Sequence, residues 1–172
     1  MGKRSNFERM PRDYYPTPYK AVIPLLSHLT GEFTFAEPCA GDGILISHLV
    51  KNGGICTDAH DIEPMHEWVR YGDALSKSYT KCDYIITNPP WNRKILHPMI
   101  EHFVDFRPTW LLFDADWIHT KQSIPFLKYL SKIVSIGRVK WIEGSSSVGK
   151  DNCCWYFFER DSHYPIQFFG KR

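Results

Sequence analysis

The sequence predicts an α/β fold built around a mostly parallel sheet, and two patterns along the chain indicate it. Over the first two thirds of the 172 residues, short apolar strands alternate with helical segments, which is typical of parallel strands joined by crossover helices. In the last third, two apolar stretches, 133–142 and 153–159, follow one another with no helix between them. We expect these stretches to form an antiparallel pair at one edge of the sheet.

The individual elements follow from the spacing of apolar residues and from residues that start or stop helices. Thr17 and Pro18 are typical of a helix start, and Gly53-Gly54 is typical of a helix end. In chain order, the predicted elements are helix 19–29 with a kink at Pro24, strand 33–37, helix 44–51, strand 55–59, short helix 64–68, strand 84–87, helix 95–106, strand 110–113 and helix 120–130. No internal repeat or linker interrupts them, so we expect a single domain over residues 1–172.

Composition excludes several classes of protein. Apolar residues make up 43% and charged residues 23% of the chain, which is typical of a globular protein and not of a disordered or fibrous one. No apolar run approaches the roughly 18 residues of a membrane span, and no signal-peptide pattern opens the chain, so we expect a cytoplasmic protein with no membrane partner. The five cysteines and eight histidines show no zinc-ligand spacing, so no metal is expected.

Charge is distributed unevenly along the chain. The net charge is only +2, which is too small for a protein that binds nucleic acid by charge alone. Residues 1–20, however, carry five basic against two acidic residues, with four aromatic residues interleaved. Such an arm could contact phosphates and bases, or it could be a solvated terminus.

A segment of small residues, Glu37-Pro-Cys-Ala-Gly41-Asp-Gly43, lies between the first strand and the second helix. Small residues let the backbone approach a ligand closely, and amides at a helix start can bind a carboxylate or a phosphate. A dinucleotide-binding loop would have a third glycine where Ile46 stands, and Asp42 would repel a pyrophosphate. A zwitterionic ligand suits the segment better.

Two further carboxylates, Asp61 and Asp73, follow this segment in the sequence. Asp61 lies at the end of the second strand, where it could accept hydrogen bonds from ribose hydroxyls, and Ile62 beside it could flank an adenine ring. Asp73, followed by Ala74, could accept a hydrogen bond from an adenine amino group. Each carboxylate alone is more often a strand-end or turn residue, and the ordered set favours a binding site.

The segment Asn88-Pro-Pro-Trp91 directly follows the predicted strand 84–87. Prolines stiffen the turn and leave carbonyls without neighbouring donors. An amino nitrogen on a base is a poor nucleophile because its lone pair is conjugated with the ring; the Asn88 side-chain oxygen and the Pro89 carbonyl could accept both hydrogens and direct that lone pair at an electrophilic methyl group. Trp91 could stack on a base flipped out of the duplex. An ordinary chain reversal is the other interpretation of a Pro-Pro turn.

These segments resemble the amino-methyltransferases of the DNA N6-adenine and N4-cytosine type, whose signatures are Asp/Glu-Pro-x-x-Gly-x-Gly and Asp/Asn/Ser-Pro-Pro-aromatic. Residues 37–43 and 88–91 match these signatures in full, and residues 14–18, Tyr-Tyr-Pro-Thr-Pro, resemble the family's N-terminal motif that closes over the methionine end of the cofactor. The resemblance implies S-adenosylmethionine as cofactor and a Rossmann-like methyltransferase fold of about seven strands, the last of them antiparallel.

The resemblance also implies a role for particular residues. The cofactor-binding residues would be Tyr15, Thr17, Pro18, Glu37, Pro38, Cys39, Ala40, Gly41, Asp42, Gly43, Asp61, Ile62, Asp73, Ala74 and Asn88. The catalytic residues would be Asn88, Pro89, Pro90 and Trp91. We therefore expect methyl transfer to N6 of adenine in DNA. An RNA amino group, a protein glutamine, and a silent module that only binds S-adenosylmethionine are the alternatives.

The chain differs from larger members of that family in its length. Only 81 residues follow Trp91, and the predicted core uses nearly all of them, so we expect no separate target-recognition domain. In this respect the chain resembles the compact orphan adenine methylases of bacteriophages. Relaxed or short sequence specificity follows, with DNA contacted by the N-terminal arm, residues 92–94 and the loop 144–152. Monomer and dimer both remain open.

Two other patterns predict less than they first suggest. Gly144-Ser-Ser-Ser-Val-Gly-Lys150 matches most of a phosphate-binding P-loop, but Asp151 replaces the required Ser or Thr and a strand follows where a helix is needed. Nucleoside triphosphate hydrolysis is therefore excluded. Asp114 and Asp116 are better interpreted as strand-end carboxylates than as a metal pair.

Overall fold

Strands and helices alternate along most of the chain in the computed structural model, which describes residues 14–142, 149–162 and 165–171. The strands are β1 (Phe33–Glu37), β2 (Gly54–Asp61), β3 (Arg70–Tyr71), β4 (Tyr84–Thr87), β5 (Thr109–Asp114), β6 (Leu130–Arg138), β7 (Asn152–Phe158) and β8 (Gln167–Phe169). The α-helices are α1 (Tyr19–Leu26), α2 (Ile44–Val50) and α3 (Arg93–Val104), and 3-10 segments cover Ala74–Ser76, Ala115–His119 and Lys121–Tyr129.

The eight strands form one sheet in the order β3-β2-β1-β4-β5-β7-β6-β8. Strand β7 is antiparallel to its neighbours β5 and β6, and all other neighbouring pairs are parallel. The predicted α/β class and the predicted antiparallel pair are thereby confirmed. Because β1, β2, β4, β5, β6 and β8 run in one direction, their carboxyl ends meet at one edge of the sheet, called here the carboxyl edge.

Several predicted elements differ from the structure in detail. About seven strands with the last one antiparallel were expected, but the antiparallel strand is β7, and the short β8 follows it as a parallel edge strand. No helix forms over 64–68, because Met65 donates its amide to the Gly41 carbonyl at 3.0 Å and not within its own segment. The predicted helix 120–130 is a 3-10 segment that contains Pro125. Helix α3 begins at Arg93, because the Asn92 side chain accepts a hydrogen bond from the Lys94 amide at 3.0 Å and caps it.

The core lies on both faces of the sheet. Side chains along β5 alternate between the faces: Trp110 and Leu112 pack with α1 and α2, while Leu111 and Phe113 pack with α3. Trp155 of β7 is fully buried, and its indole nitrogen donates to the carbonyl of Ala21 in α1 at 2.7 Å. This bond fixes α1 on the sheet, and α1 in turn positions the segment that precedes it. Within the described ranges, no helix is both long and apolar enough to cross a membrane.

Candidate active site

A cleft of about 1090 Å³ opens at the carboxyl edge, where β1, β2 and β4 end. Most of the residues singled out from the sequence lie in its wall. They are Tyr15, Thr17, Glu37, Pro38, Cys39, Ala40, Asp42, Asp61, Ile62, Asp73, Ala74, Asn88 and Pro90. The fold therefore brings together, in one cavity, segments separated by more than 70 positions in the sequence.

Five of the singled-out residues lie outside this wall. Pro18 is the N-cap of α1, and Pro89 is buried in the turn after β4. Trp91 is half-buried beside the cleft, and Gly41 and Gly43 are covered by other side chains. Four of these residues could therefore contribute to a binding site only indirectly or through backbone atoms. Trp91 differs, because its ring lies close to the Asn88 side chain.

Other residues in the wall were not among the predicted cofactor-binding and catalytic residues, although Tyr14 and Pro16 belong to the motif 14–18 and Asn92 to the segment 92–94. They are Tyr14, Pro16, Ile44, Leu45, Glu63, Pro64, Met65, Tyr71, Leu75, Asn92, Ile95 and Met99. Ile95 and Met99 are four positions apart on α3, and this spacing places both side chains on the helix face toward the cleft. An exposed Tyr71 carries no periodic signal, so only the folded chain reveals its position.

The glycine loop between β1 and α2 is shaped by two aromatic rings. Gly41 and Gly43 have φ of 50° and 76°, the left-handed region that favours glycine. A Cβ at Gly41 would lie 2.3 Å from Cε2 of Tyr14, and one at Gly43 would lie 2.2 Å from Cη2 of Trp68. The sequence suggested that these glycines make room for a ligand. In the structure, the space at each Cα is taken by an aromatic side chain.

Backbone amides of the same loop are already used within the protein. Gly41 donates to Asp61 Oδ2 at 2.9 Å, Gly43 donates to the Ala40 carbonyl at 2.7 Å, and Ile44 donates to Asp42 Oδ1 at 3.0 Å. These three amides are therefore not available to bind an anion, in contrast to the expectation from the sequence.

Asp61 links the glycine loop to the end of β2. Its Oδ2 accepts from Gly41 as described, and its Oδ1 accepts from the amide of Glu63 at 2.8 Å. Because each carboxylate oxygen can accept two hydrogen bonds, one acceptor position on each oxygen remains. Asp61 can therefore hold the loop and accept hydrogen bonds from a ligand's hydroxyl groups at the same time.

A buried chain of hydrogen bonds supports the far wall of the cleft. The Tyr79 hydroxyl donates to the Ala74 carbonyl at 2.8 Å and lies 3.1 Å from Nε2 of the fully buried His60. Since the hydroxyl hydrogen is used on Ala74, Nε2 of His60 must carry the hydrogen between these two residues. Burial lowers the pKa of His60, and Asp58, whose Oδ1 lies 3.4 Å from Nδ1 of the ring, offsets part of this effect. Asp73 completes this wall, with Oδ1 accepting from the Leu75 amide at 2.9 Å.

Glu37 is a carboxyl group buried at the floor of the cleft. Its side chain is 1% exposed, and neither oxygen makes a hydrogen bond of standard geometry with any residue of the described ranges. Burial raises the pKa of Glu37 to about 8, although the Thr87 hydroxyl and the Cys39 amide lie close enough to offset part of the effect. The carboxyl group is therefore mostly protonated at neutral pH.

The lining of the cleft is acidic. Its acidic residues are Asp42, Asp61, Glu63 and Asp73, besides the mostly protonated Glu37, and no Lys, Arg or His stands among the described residues of the wall. Carboxylates at close range raise the energy of an anionic ligand and lower that of a cationic one. The cleft consequently favours a ligand with a positive charge over a pyrophosphate.

The side-chain amide of Asn88 joins three segments at the mouth of the cleft. Its Nδ2 donates to the carbonyl of Tyr15 and to the hydroxyl of Thr17, both at 3.2 Å, and its Oδ1 accepts from the indole nitrogen of Trp91 at 3.3 Å. A carbonyl can only accept and an indole N–H can only donate, so these partners fix which way the amide faces. The Asn88 oxygen therefore lies on the Trp91 side, with one acceptor position still open.

Three aromatic rings surround this amide. Trp141, which follows β6, lies 5.9 Å from Trp91 in a T-shaped arrangement and 6.2 Å from Tyr15, measured between ring centroids. Trp141 was not predicted to be part of the site, because nothing in its local sequence indicates that the end of β6 lies near the turn 88–91.

Residues 92–94, which the sequence analysis assigned to DNA contact, have other partners in part. Arg93 forms an ion pair with Asp114 at 2.8 Å, and Asn92 caps α3. The other oxygen of Asp114 accepts from the Asp116 amide at 2.8 Å, as expected of a strand-end carboxylate. The described residues contain no group of three or more His, Cys, Asp or Glu side chains that could hold a metal ion. Most of the N-terminal arm and most of the loop 144–152 lie outside the described residues.

The sequence matches no protein-family model and no curated protein, whereas solved structures match the fold. A protein from Pyrococcus horikoshii assigned as an RNA methyltransferase has a TM-score of 0.62 at 14% identity, over 92% of this chain and 93% of its own. A protein from Listeria monocytogenes assigned as a class I S-adenosylmethionine-dependent methyltransferase has a TM-score of 0.65 at 8% identity, over 95% and 68%.

A third match is part of a restriction enzyme. It is the modification subunit of an assigned type I restriction enzyme from Vibrio vulnificus, with a TM-score of 0.55 at 13% identity over 91% of this chain. The match spans 47% of that subunit. At these identities the likeness is one of fold, and it confirms the Rossmann-like fold of the S-adenosylmethionine-dependent methyltransferases that the sequence predicts.

The buried Glu37 predicts how stability varies with pH. Between its ordinary pKa of 4.5 and its raised pKa of about 8, the unfolded chain has released this proton and the native protein retains it. Because the native state binds more protons, its contribution to stability falls as pH rises through this window. Glu37→Gln should remove the contribution, so the free energy of unfolding should decline less from pH 5 to pH 8 than in the wild type. Urea denaturation followed by circular dichroism measures this difference.

Glu32→Gln, at an exposed position, is the matched control for this experiment. Parallel pH profiles for the wild type and Glu37→Gln would contradict the prediction.

Because the Tyr14 ring covers Gly41, substitutions at these two positions should have non-additive effects on the free energy of unfolding. Gly41→Ala should lower the free energy of unfolding by about 1–2 kcal/mol for the left-handed backbone alone, and by more because of the contact with Tyr14. The same substitution in a Tyr14→Ala background should cost less, since the ring that meets the new methyl group is gone. Chemical denaturation of all four members of the cycle tests this. Gly170→Ala, where nothing lies within 4 Å of a new Cβ, should be close to neutral. Additive costs would show that Tyr14 does not cover Gly41.

Proposed function

We propose that this chain is an S-adenosylmethionine-dependent methyltransferase that methylates the exocyclic N6 amino group of adenine in DNA. The observation that carries the proposal is the fixed orientation of Asn88 at the end of β4, with its free acceptor position beside Trp91. An amino group held there would lie next to a cleft whose acidic lining suits a cation. These two features together match the demands of methyl transfer to a conjugated amine.

The cleft fits S-adenosylmethionine on grounds of charge. Its sulfonium and ammonium groups are positive, and the aspartates of the wall and Glu63 would stabilise both charges. The ammonium group could also donate a hydrogen bond to the buried carboxyl group of Glu37, whose oxygens have no hydrogen-bond partner in the described ranges. Residues 15–18 and 37–43 would hold the methionine end, Asp61 the ribose, and Ile62, Asp73 and Ala74 the adenine. When bound, the cofactor supplies an electrophilic methyl group.

The catalytic work of the chain would be to orient the target amine. The open acceptor position of the Asn88 oxygen and the Pro89 carbonyl would take the two amino hydrogens, and this would turn the nitrogen lone pair toward the cleft. Trp91 would stack on the flipped base, with Pro90 shaping the turn between them. After transfer, the substituted ammonium is acidic enough to release its proton to water or to these acceptors. A neutral Asn88 is therefore sufficient, and no strong general base is required.

Two observations bear on the target. The likeness to a restriction-enzyme modification subunit supports DNA. An RNA amino group is the second candidate, because the Pyrococcus horikoshii protein assigned as an RNA methyltransferase matches over 93% of its own length. The same Asn-Pro-Pro-aromatic turn would serve either target, so the nucleic acid that accepts the methyl group has to be identified directly.

Methyl transfer by the purified chain tests the proposed function. With methyl-labelled S-adenosylmethionine, we expect label in DNA and, after digestion, in N6-methyladenine. Asn88→Ala should lower turnover by roughly 100-fold or more, by analogy with the loss of one hydrogen-bonding group that acts in a transition state, while cofactor affinity changes far less. Asp61→Ala should instead weaken cofactor binding by about 1–3 kcal/mol, because buried polar groups lose a partner.

Asn52→Ala, on the exposed surface, is the control for both variants. Label only in RNA or protein, or in N4-methylcytosine, would refute the adenine assignment.

Relaxed or short sequence specificity forms part of the proposal, with one domain carrying both catalysis and DNA contact. Reading one base pair takes about 1–3 kcal/mol, usually from a bidentate side chain held rigidly at a groove edge. The strands, the helices and the 3-10 segments account for most of the described residues, and Arg93 beside the catalytic turn is engaged with Asp114. Mapping of methylated adenines after expression in a methylation-free host should therefore show a short or degenerate context. A strict site of four or more base pairs for the purified protein would contradict this expectation.

A further inference from the structure

The carboxyl edge continues beyond the cleft to the last strands of the sheet, and four exposed cations lie there. Arg138 is the final residue of β6, Lys140 follows two positions later, Lys150 precedes β7, and Lys171 follows β8. Lys150 ends the P-loop-like segment 144–150, whereas no motif marks the other three cations, and the four residues come from three separate parts of the chain. Only the topology places them at one corner of the molecule.

Backbone geometry holds these cations side by side. The pairing of β6 with β7 shifts register at Gly137, which has φ of 72°, and Arg138 then pairs with Asn152. Val139 is buried while Arg138 and Lys140 are exposed, so the two cations project to the same side, as alternate residues of an extended chain do.

The other two cations are brought alongside by separate contacts. The Gly149 amide donates to the Val139 carbonyl at 2.9 Å and places Lys150 beside the end of β6. A Cβ at Gly137 would lie 3.1 Å from Cδ of Lys171, so the stem of Lys171 crosses the bulge next to Arg138.

This corner of the carboxyl edge is positively charged, unlike the end of the edge where the cleft lies. None of the four cations forms an ion pair with another residue of the described ranges, and Asp151 is the neighbouring carboxylate. The cleft at β1 and β2 is lined by carboxylates, as described above. The edge is therefore acidic at one end and basic at the other, with the Asn88 turn between them.

The distance along the edge suits a nucleic-acid backbone. Neighbouring strands lie about 4.8 Å apart, so four strand spacings from β4 to β8 cover roughly 19 Å. One strand of B-form DNA has a phosphate about every 3.4 Å along its axis, so this length corresponds to roughly five or six phosphates. Trp141, next to Lys140 in sequence, packs against Trp91 and connects the basic corner to the catalytic turn.

We propose that Arg138, Lys140, Lys150 and Lys171 form a phosphate track that holds the nucleic-acid backbone on one side of the target nucleotide. The inference rests on the proposed function, since it supplies the backbone contacts that a nucleic-acid substrate needs. Contacts to phosphate position a strand without reading its bases. The track thus accounts for substrate binding by a chain with low net charge.

Two triple variants with equal charge change test the track. Lys140, Lys150 and Lys171 are replaced by Gln in one, and Lys51, Lys81 and Lys128, exposed near the opposite edge of the sheet, are replaced by Gln in the control. Binding of labelled single-stranded DNA, duplex DNA and RNA is measured by fluorescence anisotropy at several salt concentrations.

Each lost phosphate contact reduces the slope of log K against log salt by about 0.7 for a single strand or 0.9 for a duplex. We expect a slope reduced by about two to three such contacts, an affinity lowered at least about tenfold, and a raised KM for nucleic acid with cofactor affinity unchanged.

The outcomes separate the track from the proposed function. If the wild type methylates nucleic acid but both triple variants bind it with the wild-type slope, the track is refuted and the proposed function stands. If the two variants lose affinity equally, the track is also refuted, because total charge explains binding. If the wild type methylates no nucleic acid, yet only the first variant loses salt-dependent binding, the proposed function falls and the track stands.

Discussion

The side-chain amide of Asn88 is the point at which the N-terminal segment is joined to the turn 88–91 that follows β4. Its NH2 group holds the Tyr15 carbonyl and the buried Thr17 hydroxyl, more than 70 positions earlier in the chain, while its oxygen holds the Trp91 indole. An amide is the side chain that offers donors on one side and an acceptor on the other. A carboxylate here would face the Tyr15 carbonyl with an acceptor, and an aliphatic residue would leave several polar groups unpaired. The position therefore constrains both where the N-terminal segment lies and which way the Asn88 oxygen points.

Much of the architecture could be predicted from the sequence, because it depends on local patterns. The apolar strands before Glu37 and Asn88, the glycine turn and the alternation with helices follow from periodicity and from turn residues. The cavity at the ends of the parallel strands follows from topology, since residues after such strands meet at one edge. The placement of Asp61 and Asp73 beside Glu37 in one cleft is an instance.

What could not be predicted depends on contacts between distant segments. Gly41 and Gly43 are explained by the rings of Tyr14 and Trp68, and neither ring is adjacent to the glycines in sequence. The segment 64–68 lacks a helix because its backbone bonds to the glycine loop. Trp141 lies beside Trp91 because β6 runs in the same direction as β4 and ends at the same edge of the sheet. Strands of two or three residues, such as β3 and β8, are too short to show a period.

The central place of β7 in the sheet has a consequence for the order of folding. Strand β7 is hydrogen-bonded to β5 on one side and to β6 on the other, with pairs such as Thr109 and Phe158 far apart in sequence. Its Trp155 also bonds to Ala21 across 134 positions. As the chain leaves the ribosome, β5 and β6 must therefore wait with open edges until the residues of β7 emerge. Contacts at such separations are slow to form, and unpaired strand edges are prone to aggregate. Nascent chains that have reached β6 but not β7 are thus the species that would most need a chaperone.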